Sequence, residues 1–302
     1  MSLSSDLFRC VTCQSDSLKI PPTTNLPQRS FTLFSNLSSR ILIYKIKMKT
    51  LTLVIPVYNE AKRLRKTFST LNKWQVSAGL KLDQVIFVND GSTDQSLNIL
   101  KNTHLKLNKK IISYPKNMGK GFAIKKGMLA SQADYTLMLD ADMATTPSQI
   151  KKFLPLINKG TDVIVGTRKN GHSTVTIHQP FIRENLGKIF TKLSQIILGV
   201  QVTDFTCGFK AFSQIAKNDI FSKSLINRWG YDAEILFLAK KLNYSIAEKS
   251  VPWADQKGTK VNLIKDSISS LSELITIRLF HLQNKYQIKS PLPKFGYTLA
   301  NA

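Results

Sequence analysis

Short apolar runs alternate with amphipathic stretches along the chain from residue 48 onward. The apolar runs are four to seven residues long, as expected for buried strands, and they cover residues 51–57, 84–88, 110–113, 135–139 and 162–166. The amphipathic stretches between them lie around residues 61–76, 94–102, 121–131 and 148–158. Strands that alternate with helices predict an α/β fold, in which helices cover both faces of a parallel sheet.

Two longer amphipathic stretches, residues 182–200 and 263–280, follow the strand-rich part of the chain. Their apolar positions recur at i, i+3 and i+4, which predicts one apolar face on each helix. The pattern leaves two alternatives open, because such a face packs on a protein core or lies on a membrane surface. No uncharged run reaches the roughly 18 residues that a membrane-spanning helix needs, so we expect no membrane span.

The composition adds a strong positive charge to this picture. With 42% hydrophobic residues among 302, the chain is able to bury a sizeable core, which excludes an intrinsically disordered protein. Its 43 basic and 19 acidic residues give a net charge of +24. This excess favours polyanionic partners: nucleic acid, an anionic membrane surface or phosphorylated substrates.

The first 47 residues differ from the rest of the chain. They contain nine serines and six basic residues against two acidic ones, and they show no long periodic apolar pattern. Three explanations compete: an organelle transit peptide, a disordered leader, or an upstream stretch translated from a wrongly assigned start before Met48. We therefore expect a leader at residues 1–47, a folded domain at residues 48–282 and a basic tail at residues 283–302.

Polar side chains follow the second predicted strand. In parallel sheets, ligands bind beyond the carboxyl ends of the strands, so the residues just after each strand are candidate site residues. Asp90 ends the second strand, and its carboxylate is able to accept hydrogen bonds from a base or a ribose. Gly91 permits a tight turn there, and the following residues are typical of helix caps: Ser92, Thr93 and Asp94.

Charged residues follow the next three strands. Lys120 lies between two glycines at a predicted helix start, where backbone N–H groups and one ammonium suit a phosphate. Asp140 and Asp142 follow the fourth strand at spacing i, i+2, and paired carboxylates are hard oxygen ligands for Mg²⁺ or Mn²⁺. Arg168 follows the fifth strand, and its guanidinium suits bidentate phosphate binding. The sequence therefore predicts a site for a metal and phosphate groups at this edge of the sheet.

Six motifs in order carry a family resemblance over about residues 50–282. They are PVYNE at 56–60, VNDGSTD at 88–94, NMGKG at 117–121, DAD at 140–142, GTR at 166–168 and DFTCGFKAF at 204–212. Together they resemble the inverting glycosyltransferases of family 2, which have a GT-A fold with a parallel-type mixed sheet that binds a nucleotide sugar. The resemblance implies that the nucleoside is bound by Pro56, Tyr58, Glu60 and Asp90. It also implies that Asp142, with Asp140 close by, holds the divalent metal.

The second half of the chain narrows the resemblance to one branch. The stretches that carry it are DADMAT at 140–145, RWGYDAE at 228–234, VPW at 251–253 and GTK at 258–260. They look most like dolichyl-phosphate β-glucosyltransferases, which implies inverting transfer of glucose from UDP-glucose to a polyprenyl or dolichyl phosphate. Ala144 is similar to the glucosyl branch, whereas mannosyl enzymes often carry Gln there. Transfer of mannose from GDP-mannose is the nearest alternative.

Roles for the other site residues follow from the resemblance. Lys120, with the metal, would stabilise the departing nucleoside diphosphate. The acceptor phosphate would be held by Arg168, Arg183 and Lys260. Asp204 is left with three alternatives: it orients the sugar hydroxyls, acts as a base for a hydroxyl acceptor, or braces its loop.

The expected location is the cytoplasmic face of a membrane, where the basic domain would associate peripherally with anionic lipids. Two other functions remain as alternatives: a family 2 transferase acting on a glycan or protein hydroxyl, and a non-catalytic binder of nucleic acid or an anionic surface. Carboxylates near one sheet edge disfavour nucleic acid, because they would repel a phosphate backbone. They are Asp90, Asp140, Asp142 and Asp204.

Overall fold

The computed structural model of the protein describes residues 48–76, 79–168, 175–177, 181–254 and 263–288, except for the side chains of 175–177, 181–186 and 263–268. The predicted leader and most of the predicted basic tail lie outside the described residues. Within the tail, the side chain of Tyr286 is described and buried, so the packed chain extends beyond residue 282.

A seven-stranded mixed sheet forms the centre of the fold. Its strands are β1 (Lys49–Val57), β2 (Leu80–Asp90), β3 (Lys109–Tyr114), β4 (Tyr135–Met138), β5 (Val163–Thr167), β7 (Lys210–Ser213) and β8 (Ile246–Ser250). They lie in the order β3-β2-β1-β4-β7-β5-β8, and β7 runs antiparallel to both neighbours while the other pairs are parallel. Two short parallel strands, β6 (Val175–Ile177) and β9 (Trp253–Ala254), pair with each other.

Helices connect the strands and cover both faces of the sheet. They are α1 (Ala61–Lys73), α2 (Ser96–Asn102), α3 (Lys120–Ala130), α4 (Leu154–Asn158), α5 (Phe181–Leu198), α6 (Gln214–Lys223), α7 (Tyr231–Lys241) and α8 (Leu263–Leu282). Alternate residues of β1 point into two buried clusters, one shared with α1 and one shared with α3, α6 and α7. Residues 231–239 of α7 are all buried, because α5 and α8 pack over them.

The five strands predicted from the sequence are confirmed, with changes at their ends, and the sheet also contains β7, an antiparallel strand that the strand–helix alternation did not predict. The apolar pattern does not predict β7, because its four residues include Lys210. Nor does it predict β8, where Glu248 and Lys249 interrupt an edge strand. The mixed sheet nevertheless agrees with the architecture that the resemblance implies.

The predicted helices are largely confirmed, including the two long amphipathic ones, which form α5 and α8. The stretch 148–158 differs, because a short 3-10 helix (Pro147–Lys152) precedes α4 there. Pro155 has no N–H to donate to the carbonyl of Lys151, so a continuous α-helix is not favoured. Among the described helices, none is both long enough and apolar enough to cross a bilayer.

Candidate active site

The loops that follow β1 and β2 are joined by side-chain hydrogen bonds. Asn59 has a positive φ of 53°, which asparagine tolerates better than most residues. Its Oδ1 accepts from the backbone N–H groups of Thr93 (2.8 Å) and Asp94 (3.3 Å), and its own N–H donates to Ser92 Oγ (3.0 Å). Asp94 also accepts from the N–H of Ser96, the first residue of α2 (2.9 Å), whereas the N-cap of this helix is Gln95 and not one of the three residues predicted to cap it.

Three residues predicted to bind the nucleoside flank this junction. Pro56 is half-buried in β1, and the side chain of Tyr58 is exposed. The backbone N–H of Glu60 donates to Ser96 Oγ (2.8 Å), and its carboxylate pairs with Arg63 (3.0 Å). These residues therefore lie on or beside the hydrogen-bonded loops at the ends of β1 and β2. Their contact with a nucleoside stays a prediction.

Asp90, at the end of β2, shapes the loop before α3. The residue is 2% exposed, and its carboxylate accepts from Asn117 Nδ2 (2.8 Å) and from the N–H groups of Met118 (2.8 Å) and Gly119 (3.0 Å). These bonds hold the backbone that leads directly into Lys120. Asp90 thus positions a neighbouring motif, and its predicted contact with a base or ribose stays a prediction.

Lys120, the first residue of α3, pairs with Asp140 at the sheet edge. Its Nζ lies 2.7 Å from Asp140 Oδ1, and the two side chains are 28% and 36% exposed. Burial opposes the charge on Lys120, but Asp140 and other groups outweigh it, so the lysine pKa lies well above its ordinary value. Burial also opposes the charge on Asp140, but Lys120 lowers the pKa of this carboxyl. Both groups therefore carry their charges in the folded protein.

Asp142 lies in a tight turn that the N–H of Met143 closes on the carbonyl oxygen of Asp140 (3.2 Å), and Met143 has a positive φ of 56°. Asp142 Oδ1 accepts from the N–H of Ala144 (2.9 Å). Burial and, next, the negative charge of Asp140 raise the pKa of Asp142. Two carboxylates that oppose each other's charge fit a divalent cation, because the cation relieves the repulsion and takes oxygen ligands.

Glycines allow backbone to approach both members of the Lys120–Asp140 pair. A Cβ at Gly208 would lie 2.0 Å from Asp140 Oδ2. On the other side, a Cβ at Gly119 would lie 2.4 Å from the carbonyl oxygen of Asn227. The backbone at residue 208 and at residue 227 is therefore able to approach the pair only because Gly208 and Gly119 lack side chains.

Arg168, at the end of β5, is held by Asp204. Arg168 Nε and Nη2 donate to Asp204 Oδ2 (2.7 Å) and Oδ1 (2.8 Å), and the Arg168 N–H also donates to Oδ2 (3.1 Å). Asp204 is fully buried, whereas the Arg168 side chain is partly exposed and lies over the ring of Trp253. Burial opposes the charge of Arg168, but Asp204 outweighs it and raises the arginine pKa. This contact attaches Asp204 to Arg168, and a role of Asp204 in orienting the sugar hydroxyls, as a base or in bracing its loop stays a prediction.

A buried ion pair below the site was missed by the sequence analysis. Lys210 is fully buried, and its Nζ lies 2.5 Å from Asp232 Oδ1. The same Nζ donates to the carbonyl oxygens of Phe205 (2.8 Å) and Cys207 (2.7 Å). Lys210 thereby fixes the segment that follows Asp204. A signal was present, because a lysine between apolar residues in the 204–212 motif is expected to need a buried partner.

For two of the residues predicted to bind the acceptor phosphate, the structure describes no side-chain contacts. Arg183 lies in the first turn of α5, where the backbone is described and the side chain is not. Lys260 lies outside the described residues. Their proposed contacts with a phosphate stay predictions.

Residues 52–221 match the family model described as Glycosyl transferase family 2. The chain belongs to this family. Curated relatives include the dolichyl-phosphate beta-glucosyltransferase of Dictyostelium discoideum, 31% identical over 80% of this chain and 77% of the relative. The protein of the same name from Saccharomyces cerevisiae is 32% identical over 78% and 76%, and the one from Homo sapiens is 29% identical over 82% and 80%. The predicted glycosyltransferase family is therefore confirmed.

Solved structures of low sequence identity share the fold. Mannosyl-3-phosphoglycerate synthase from Rubrobacter xylanophilus is 14% identical, with a TM-score of 0.58 over 82% of this chain and 78% of that chain. Glucosyl-3-phosphoglycerate synthase from Mycobacterium tuberculosis is 17% identical, with a TM-score of 0.54 over 80% and 81%. The predicted GT-A fold is confirmed. The second enzyme has also been crystallised with Mn²⁺ and uridine diphosphate.

The family match ends before α7, yet this glycosyltransferase builds its site with residues beyond that point. Trp253 lies over Arg168, and Asp232 neutralises Lys210. Glu234, on the same helix as Asp232, is buried and accepts from Tyr286 Oη (2.9 Å). The C-terminal part of the chain is therefore integral to the catalytic domain.

Proposed function

We propose that this glycosyltransferase moves glucose from UDP-glucose to a polyprenyl or dolichyl phosphate, with inversion, to give a β-linked lipid-phosphate sugar. The observation that carries the proposal is the arrangement of charge at one sheet edge. Carboxylates and a cation suited to a sugar nucleotide, Asp142, Asp140 and Lys120, lie on one side, and the braced Arg168 lies on the other. The names of relatives that align along most of their length support the same donor sugar and acceptor.

At the donor end, Asp142 and Asp140 would hold Mg²⁺ or Mn²⁺, which when bound neutralises the negative charge of a diphosphate. Among the described residues, no group of three or more His, Cys, Asp or Glu side chains could enclose a metal. Two carboxylates suit an ion that takes its other ligands from substrate phosphates and water. Lys120 carries its charge at the same edge and would stabilise the leaving diphosphate.

The nucleoside would bind on the joined loops after β1 and β2. Tyr58 offers an exposed side chain there, and Pro56 and Glu60 come two residues before and after it in the chain. Asp90 acts at least in part through Lys120, because its carboxylate holds the backbone before that residue.

At the acceptor end, a lipid phosphate is already ionised near neutral pH, so its oxygen attacks the anomeric carbon without a strong base. Arg168 would bind this phosphate, and Arg183 and Lys260 would complete the site by family resemblance. Asp204 holds the Arg168 guanidinium with both carboxylate oxygens and is fully buried. This arrangement favours Asp204 as a positioning residue over a base for a hydroxyl acceptor.

The proposed place of action is the cytoplasmic face of a membrane, with the protein bound peripherally. The net charge of +24 favours contact with anionic lipids there. UDP-glucose and a lipid phosphate would meet at this surface.

The test is transfer of radiolabelled sugar to a short polyprenyl phosphate in detergent. UDP-glucose and GDP-mannose are supplied in parallel, with Mg²⁺, with Mn²⁺ or with EDTA. We expect metal-dependent label in the organic phase from UDP-glucose. Label from GDP-mannose alone would overturn the donor. Absence of a lipid product from both donors would overturn the acceptor and favour a glycan or protein hydroxyl.

A further inference from the structure

The outer surface of α5 and α8 exposes an unusual share of large apolar side chains. Ten such side chains are strongly exposed among the described residues, and five of them belong to these two helices. They are Ile189 and Ile196 on α5, and Ile275, Leu279 and Leu282 on α8. We call these five residues the outer apolar face. Their exposed fractions range from 48% to 72%.

The five side chains point away from the same core. On α5 they are seven residues apart, and on α8 they follow a spacing of four and then three, so each set occupies one stripe of its helix. Other positions of the same helices, with Phe190 and Leu198 on α5 and Leu274 on α8, pack on the cluster that contains α7. Because both helices cover this one buried helix and contact each other, the outer stripes share a surface.

Positive charge accompanies the outer apolar face. Lys188 and Lys192 are exposed on α5, between and beside its two isoleucines, and Arg278 and Lys285 lie on or just after α8. Among the described side chains of both helices, the acidic one is Glu273. Its carboxylate accepts from the N–H of Gly230 (2.5 Å) and is thus directed inward. A surface of this composition complements negative charge.

Two hydrogen bonds attach α8 firmly to the catalytic domain. Glu273 binds the N–H of Gly230, just after Asn227, whose carbonyl oxygen accepts from the N–H of Phe122 (3.1 Å) in α3. Beyond the end of α8, Tyr286 Oη donates to the buried Glu234 (2.9 Å). Whatever binds the outer apolar face is therefore held at a fixed position relative to the donor site that begins α3.

We propose that the outer apolar face of α5 and α8, with its flanking lysines, docks the protein on an anionic lipid bilayer. This inference rests on the proposed function, in which the acceptor is a phosphorylated membrane lipid. Apolar side chains would enter the headgroup boundary, and the cations would lie at the anionic surface. A second copy of the chain fits less well, because a twofold contact through this face would bring Lys188 and Lys192 close to their own counterparts.

The experiment is sedimentation of the full chain with vesicles of phosphatidylcholine, with and without phosphatidylserine. The face variant combines Ile196→Gln, Leu279→Gln and Leu282→Gln. Its matched control is Ile215→Gln, because Ile215 is 71% exposed on α6, away from this surface. We expect wild type and control to bind anionic vesicles equally, and the face variant to bind about tenfold less or weaker still.

The charge is tested separately by Lys188→Ser combined with Lys192→Ser. At roughly 1 kcal/mol for each lysine, vesicle binding is expected to fall about 30-fold. Both variants should keep wild-type transfer to a short polyprenyl phosphate in detergent, because no substituted residue lies at the catalytic edge. That assay also separates the two proposals: its failure in the wild type counts against the proposed function, and unchanged vesicle binding by both variants overturns the docking surface.

A second measurement decides between lipid and protein as the occupant. Sedimentation velocity without lipid is expected to give the same mass for wild type and face variant. A wild-type dimer that the face variant converts to a monomer would overturn membrane docking in favour of a contact between two copies.

Discussion

Asp140 and Asp204 stand near the same edge of the sheet, in opposite surroundings. The Asp140 side chain is 36% exposed and pairs with the partly exposed Lys120. Asp204 is fully buried, and both of its oxygens accept from Arg168. A carboxylate at an open edge is able to exchange protein partners for ligands, whereas a buried and fully bonded one orients its neighbour. In the function proposed above, Asp140 would therefore bind ligand, and Asp204 would position Arg168.

The contrast continues below the site. Asp142 lies half-buried beside Asp140, and burial and then the negative charge of Asp140 raise the pKa of Asp142. Lys210 and Asp232, by comparison, neutralise each other in the interior. We call the sheet edge with Asp140 and Asp142 the open edge; it holds negative charge that a cation would stabilise. We call the buried pair of Lys210 and Asp232 the closed region; its charges already compensate each other.

The largest expected effect is at the open edge, where Asp142→Asn should lower transfer about a thousandfold, because the proposed metal loses a charged ligand. Initial rates with Mg²⁺ or Mn²⁺ measure the loss, and titration of Mn²⁺ checks that binding weakens. The control is Asp83→Asn, which changes an aspartate near the opposite end of β2. Near-normal turnover of Asp142→Asn would contradict the proposal that Asp142 holds the metal.

In the closed region, Lys210→Met should lower the free energy of unfolding by about 3 kcal/mol, because Asp232 remains as an uncompensated buried charge. Urea unfolding measures it. The double variant Lys210→Met, Asp232→Leu serves as the control and should recover much of the loss, since neither charge is left. A double variant as unstable as the single one would contradict this account.

Asp204→Asn tests whether the buried carboxylate acts by positioning Arg168 or as a base. We expect a 10- to 100-fold fall in kcat, on the order of what a misplaced catalytic group costs, with little change in the affinity for UDP-glucose. The pH–rate profile should keep its shape, because the residue transfers no proton. Loss of the acidic limb of that profile, with a much larger fall in kcat, would identify Asp204 as a base instead.

Gly208→Ala tests whether the close approach of residue 208 fixes the position of the Asp140 carboxylate. The added methyl group would lie 2.0 Å from Asp140 Oδ2, so the carboxylate has to move, and we expect a roughly tenfold fall in transfer rate. The double variant with Asp140→Ala should be no slower than Asp140→Ala alone. Additive losses in this cycle would show that Gly208 acts by another route.

The smallest expected effect concerns Glu234. Burial raises the pKa of this carboxyl from its ordinary 4.5, so the folded protein binds a proton more readily than the unfolded chain. The contribution of Glu234 to the free energy of unfolding therefore rises as the pH falls through the raised pKa towards 4.5. Glu234→Gln should remove this trend, because a glutamine binds no proton in this pH range. Urea midpoints measured across that range check it, and parallel curves for the two proteins would contradict it.

Much of the open edge could be predicted because its signals are local. An apolar run followed at once by Asp90, or by Asp140 and Asp142, places a carboxylate at the end of a strand wherever that strand pairs. Lys120 between two glycines likewise predicts a helix start from neighbouring residues alone, and α3 does begin at Lys120. The long apolar stripes of α5 and α8 were visible for the same reason, since helical spacing is a property of neighbouring residues.

The chain by itself determined the alternation of strands and helices, and the charged groups that end the central strands. Only the tertiary structure decided that β7 inserts antiparallel between β4 and β5, and that Arg168 meets Asp204 across 36 residues of sequence. Local periodicity carries no record of such pairings, because burial and partner choice depend on which distant segments share the same interior. For this reason the sequence does not show that Asp204 is fully buried against Arg168 while Asp140 is partly exposed beside Lys120.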